Sequence, residues 1–200
     1  MTETADLAPL AAHAELTDDP ILRAASHLFY RRGIGNVSIQ DIRQLAGVSL
    51  KALYARYPSK ESLVTAYLRS THAGWTRSLE ETVAAAVPDA RNGITLEGPA
   101  RAAAVTALFE WLGEWFATPD FVGCGIANTR GERLSDEAQE VIRDHDRHVR
   151  SYMDRIGGSP EAGGSLFVLM EGAISTAAGT GDPDYARVAL HTARAALDLA

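Results

Sequence analysis

SIQDIRQLAGVSLKALYARYPSKE, residues 38–61, is the stretch on which the fold turns. Ile39, Ile42 and Leu45 share one helical face before Gly47, and Leu53 and Tyr57 share one after it. Ser38 and Ser49 stand where each of the two helices needs a side-chain oxygen to cap its first turn. Gly47 can take the positive φ that ends a helix sharply, and Val48 is expected to fill the angle between the two helices. The pattern predicts a helix-turn-helix, a unit whose second helix fits the DNA major groove. Leu50, Lys51, Ala52, Tyr54, Ala55 and Arg56 are left for its outward surface.

Upstream, Asp19 is placed to cap a helix that Pro20 begins and Gly33 ends, with Ile21, Ala25, Leu28 and Phe29 on one stripe. Three helices then share a small core of Ile21, Leu28, Phe29, Ile39, Ile42, Leu45, Val48, Leu53 and Tyr57. That is little apolar area for independent stability, so this module is expected to lean on the helix that follows. That helix starts at Ser59 and carries Val64, Leu68, Trp75, Leu79 and Val83 toward Pro88.

Charge separates the same region from the rest. The chain has 200 residues and a formal net charge of −7, yet residues 18–60 hold seven Lys or Arg against three Asp, a local +4. An acidic protein is a poor polyanion binder as a whole, but a basic module on an acidic body still releases counterions from phosphate.

GVSLKALYARYPSKESL at 47–63, with ILRAASHLFYRRGIGNVSIQDI at 21–42 before it, resembles the DNA-binding region of the TetR/AcrR-type one-component transcriptional regulators. The resemblance covers roughly residues 20–65. It implies that Tyr54 and Lys60 hold DNA phosphates, and that the chain works as a dimer joined by its last two helices, with an effector bound in the larger domain shifting the readers. Lys51, with Leu50 and Ala55, is the candidate for base reading, although a lysine there serves a phosphate equally well. The full set of candidate DNA contacts is Ser38, Gln40, Ser49, Leu50, Lys51, Tyr54, Ala55, Arg56 and Lys60. Leu50, Lys51 and Arg56 depart from the residues common in that family, which bears on the operator sequence.

The remainder reads as all-α. Breaks at Pro88–Gly98, Thr118–Gly125, Gly157–Pro160 and Gly179–Pro183 leave four further helical stretches with no alternating strand pattern. The expected organisation is a flexible arm at 1–17, a DNA-binding domain at 18–60 and a helical effector-binding and dimerisation domain at 61–200. Residues 161–179, apolar or small on most sides, need cover all round. With the 184–199 helix, striped by Tyr185, Val188, Ala189 and Ala196, they offer a surface to a second copy.

Trp111, Trp115, Phe116, Phe121, Tyr152 and Phe167 are either core or the lining of an apolar cavity for a small organic effector. Glu171 is the one ionisable group in its apolar helix and must find a partner, structural or effector. His145, on the 135–157 stripe, is a packed histidine or a further effector contact; with His148 it supplies two metal donors but no third, so no metal is expected. Cys124, in FVGCGIAN, either packs as a small residue or senses electrophiles, for which an exposed turn at a helix start would lower its pKa. A branch of the same family carries a similar Gly-Cys-x-x-x-Asn step, matched by Gly123, Cys124 and Asn128.

The sequence contains no GxSxG, GxxxxGK, HExxH, CxxC or GxGxxG, so no enzyme and no cofactor is expected. No apolar run approaches the roughly 20 residues of a membrane span. The opening residues lack a basic n-region, and one cysteine permits no intrachain disulfide, both of which fit a cytoplasmic protein. A helical ligand-binding or interaction protein without DNA binding is the rival class.

Overall fold

The computed structural model describes residues 17–199, and the expected arm at 1–17 lies almost wholly outside the described residues. Among these residues there are eight α-helices and no strand: α1 (Pro20–Arg32), α2 (Ile39–Ala46), α3 (Leu50–Arg56), α4 (Lys60–Ala86), α5 (Gly98–Phe116), α6 (Asp136–Gly157), α7 (Pro160–Thr180) and α8 (Tyr185–Ala196). None is long and apolar enough to cross a membrane.

The helices start and stop where local chemistry directs. Asp19 Oδ1 accepts the N–H groups of Ile21 and Leu22 at 2.9 and 3.3 Å, with Pro20 at the first helical position. Ser38 and Asp41 form a reciprocal capping box at the start of α2. Gly47 ends α2 at φ 67° and ψ 27°; its N–H and that of Val48 return to the carbonyls of Gln44 and Arg43. Ser49 Oγ accepts the Ala52 N–H at 3.1 Å to open α3.

The chain divides into two compact units. One contains the described residues up to Trp75 together with Gly125–Ile142; the other contains Thr76–Cys124 and the residues from Arg143 onward. Helices α4 and α6 each contribute to both.

In the first unit the core of α1–α3 is Ile21, Leu28, Phe29, Ile42, Leu53 and Tyr57, all buried. Leu45, expected in this core, is instead 37% exposed, and Ile39 and Val48 are half-buried. The reason is the shortness of α2: over eight residues only the line through Ile42 is covered, and the flanking positions sit at its edges. The three helices do lean on α4. Phe29 and Tyr67 pack with ring centroids 5.5 Å apart, and Lys60 Nζ donates to the Ile34 carbonyl at 2.6 Å. The segment from Gly125 adds support that the local sequence did not announce. Glu132 Oε1 accepts the Gly35 N–H at 3.2 Å, Glu137 pairs with Arg69 at 2.8 Å, and Gly125 packs so closely that a Cβ there would lie 2.7 Å from the Tyr67 hydroxyl.

In the second unit α5 packs on α7 and α8, and α7 on α8. The expected α5 stripe of Ala104, Leu108, Trp111, Leu112, Trp115 and Phe116 is buried throughout. Helix α8 turns Ala186, Ala189 and Ala193 inward and leaves Val188 49% exposed. Its inner face is built of alanines, small enough for the close approach to α5, where a Cβ added at Gly113 would lie 3.5 Å from Ala186 Cβ. The corner between α6 and α7 is closer still: a Cβ on Gly163 would stand 2.5 Å from Asp154 Cα and 2.6 Å from its nitrogen.

Candidate nucleic-acid interface

The reader surface is built by caps and one turn, and it faces outward. Leu50 and Tyr54 are each 45% exposed although both are large and apolar in body, and Lys51, Ala52 and Ala55 are exposed beside them. Inside, Leu53 is fully buried and Tyr57 nearly so. A seven-residue helix with one buried line and an exposed leucine, lysine and tyrosine has most of its surface available to a partner.

Several candidate contacts also have internal duties. The Ser38 and Ser49 hydroxyls accept helix-capping bonds, and Gln40 Oε1 accepts from Arg43 Nε at 3.1 Å. Arg56 Nε lies 3.2 Å from Asp19 Oδ2, and its guanidinium sits 5.0 Å from the centroid of the Tyr57 ring; its side chain is still 65% exposed. The Tyr57 hydroxyl donates to the same Asp19 oxygen at 2.8 Å. Asp19 therefore joins the first turn of α1 to the last turn of α3 and fixes the tilt of the reader helix. Burial pushes the Asp19 carboxyl up, but the bonds from Tyr57, Leu22 and Ile21, with the Arg56 charge, outweigh it and hold it below its ordinary value. Burial and the Asp19 carboxylate together push the Tyr57 phenol up to about 12. Lys60 is half-buried over the α1–α2 turn, its ammonium on the Ile34 carbonyl. Sequence reasoning missed Asp19 as an orienting group for α3, since its signal was that of a cap; the Glu132 contact to Gly35 had no local signal at all.

The candidate effector residues all belong to the second unit. Trp111, Trp115, Phe116 and Phe121 pack ring against ring, with centroids 4.8–6.0 Å apart along the cluster, and Trp111 Nε1 donates to Ser78 Oγ at 3.0 Å. Phe167 and Glu171 are half-buried on α7, and His145 is buried on α6. Tyr152 lies elsewhere from the ring cluster, on a cavity of about 440 Å³ whose walls include Thr76, Glu80, Arg91 and Arg155 and none of the other candidates. Cys124, expected in an exposed turn before a helix, is buried at 4% exposure. The glycines on either side let the backbone fold inward, and only a short 3₁₀ turn, Ala127–Thr129, follows.

Residues 21–67 match the family model described as bacterial regulatory proteins, tetR family. The HTH-type transcriptional regulator TtgR of Pseudomonas putida is 41% identical over 59 residues, 30% of this chain and 28% of that protein, so the match spans little more than a quarter of the curated relative. Over the whole length the likeness is one of fold. SCO4454, a TetR-family transcriptional regulator from Streptomyces coelicolor, superimposes with a TM-score of 0.71 at 24% identity, covering 90% of this chain and 93% of that one. The reduced form of NemR from E. coli gives 0.74 at 17% identity, covering 88% and 94%. Residues 21–67 thus carry a tetR-family helix-turn-helix, and the eight-helix frame of the described residues has the fold of TetR-family regulators.

Proposed function

We propose that this chain is a dimeric, non-enzymatic, ligand-responsive repressor that releases a near-palindromic operator when a small organic effector binds its larger domain. The exposed face of α3 carries the reading: Leu50, Lys51, Tyr54 and Ala55 stand outward from a module with a local charge of +4. In the functional division, residues 18–60 read DNA, and residues 61–200 bind effector and dimerise in the cytoplasm. Lys51 donates to a base edge, Leu50 and Ala55 meet thymine methyls, and Ser38, Gln40, Ser49, Tyr54, Arg56 and Lys60 line the phosphates.

The second copy docks on α7 and α8. Ser165, Val168, Gly172, Ser175 and Gly179 recur at alternating steps of three and four along α7 and are uncovered or nearly so, with Val168 69% exposed. Val188 on α8 extends the patch. Small residues on such a line let two helices approach closely, and two readers on a two-fold axis ask for paired half-sites. The effector is held by the second unit, with Trp111, Trp115, Phe116, Phe121, His145, Tyr152, Phe167 and Glu171 as its candidate contacts. Burial of Cys124 favours a bound effector over a thiol reaction as the signal.

An electrophoretic shift against the chain's own upstream DNA, titrated with salt, tests this. Binding should weaken steeply with salt, and Lys51→Ala should cost about 1–3 kcal/mol and relax one operator position. Equal weakening on every operator variant moves Lys51 to a phosphate, and no binding in dilute buffer ends the DNA-binding proposal.

A further inference from the structure

The cavity on the second half of α4 carries chemistry that the aromatic cluster does not. Its volume, about 440 Å³, lies in the range of small-molecule sites. Arg77, Arg91 and Arg155 stand on its walls against Glu80 and Glu81. Glu80 is already engaged, its Oε1 2.7 Å from His148 Nε2. Arg91, on the turn after α4, is exposed and makes no ion pair.

The α6 wall holds two polar atoms shut away from water without a hydrogen-bond partner: the Tyr152 hydroxyl and Arg155 Nε. The Tyr152 side chain is 97% buried by its 3% exposure, and the Arg155 guanidinium covers its ring, 4.9 Å from the centroid. Both atoms carry a proton to donate. Burial, with Glu80 nearby, pushes the Tyr152 phenol well above its ordinary value, so it remains protonated. Two buried donors left unmet carry a desolvation penalty that an entering acceptor removes.

We propose that this cavity binds a small organic carboxylate, its oxygens taken by Arg91 at the rim and by Arg155 and Tyr152 at the wall. Arg155 turns from the ring toward the carboxylate and uncovers the Tyr152 hydroxyl. The paired Glu80 and the free Glu81 repel an anion with no other polar group and favour one that also carries a donor, such as a hydroxyl. Binding needs only this cavity. Its effect on DNA rests on the regulator reading above.

The test uses the full chain in thermal-shift and calorimetric titrations, with benzoate, salicylate and succinate each compared with its amide. Salicylate, which carries a hydroxyl, should raise the melting point most, benzoate and succinate less, and the amides not at all. Arg91→Gln, on the surface, and Tyr152→Phe should each weaken acid binding about tenfold or more. Without ligand, Tyr152→Phe should melt no lower than the parent, because it removes an unmet buried hydroxyl. Equal response to acid and amide, no response to any acid at on the order of tens of millimolar, or unchanged affinity in both variants overturns the proposal. Operator binding of the ligand-free chain is measured separately, so loss of DNA binding alone leaves the carboxylate site standing, and the reverse holds equally.

Discussion

Gly47 and Gly163 are the same residue doing opposite work in the two regions of this molecule. Gly47, in the reader, has a positive φ of 67° and open space: a Cβ there would meet nothing within 4 Å. Gly163, inside α7, has ordinary helical backbone and no space at all, with Asp154 backbone atoms 2.5 and 2.6 Å from where its Cβ would be. The first glycine is needed for a conformation, the second for a distance. Around Gly47 structure is dictated by neighbours in sequence; around Gly163 it is dictated by another helix.

Gly163→Ala is the change expected to do the most damage. The obstructing atoms are backbone, so α6 and α7 must separate, at about 3 kcal/mol or more. Thermal unfolding should fall markedly while the isolated capping of α1–α3 is untouched. A wild-type melting point would mean that the α6–α7 corner is looser than the distances require.

That contrast explains what the sequence disclosed. The caps at Asp19, Ser38 and Ser49, the turn at Gly47 and the stripes on α4 and α5 are written in residues a few positions apart, and each lies where it was expected. Leu45 was misplaced because a stripe gives the apolar side of a helix, not how much of it a neighbour covers. The Glu132–Gly35 bond joins residues 97 apart, and the polar cavity joins α4, the turn after it and α6. Neither leaves a periodic trace. The candidate DNA surface was legible because it is a single short helix; the polar cavity was not, apart from Tyr152.

Tyr57→Phe probes the one place where the reader depends on a contact distant in sequence. Losing the hydroxyl bond to Asp19 should cost about 2 kcal/mol, as for a bond to a charged group. Its pH dependence has a definite sign. The Tyr57 phenol is raised from 10.0 to about 12, so the folded state keeps its proton while the unfolded chain loses it; that stabilisation is complete below pH 10 and lost as pH climbs toward about 12. Asp19 is lowered, so its stabilisation is present above its unfolded value and lost on acidification through the folded one. The variant should show a shallower alkaline fall, the remainder belonging to Tyr152, and an acid limb displaced upward. Unchanged limbs on both sides would show that Asp19 and Tyr57 do not share their proton energetics.

Glu132→Ala sharpens the comparison by removing a distant support from the local module. One acceptor for the Gly35 N–H is lost at an exposed site, about 1 kcal/mol. Hydrogen exchange should quicken at Gly35 and its neighbours and stay unchanged in α5, α7 and α8. Uniform quickening would mean that the effect is on global stability, not on the α1–α2 turn.

Gly47→Ala should have the smallest effect, although this glycine sits at the centre of the motif. Holding an alanine in the left-handed region costs about 1–2 kcal/mol. Against that, alanine restricts the unfolded chain and returns about 0.4–1 kcal/mol. No steric term is added, since the space beside Gly47 is empty. The net loss in thermal stability should be about 1 kcal/mol or less, and Gly47→Asn, which tolerates this conformation better, should lose less still. DNA binding is the more sensitive readout, because a turn that relaxes by rotating α3 moves Lys51 and Tyr54 together while Leu53 and Tyr57 remain in the core. A Gly47→Ala loss as large as that of Gly163→Ala would show that the reader turn, too, is held by distance and not by conformation.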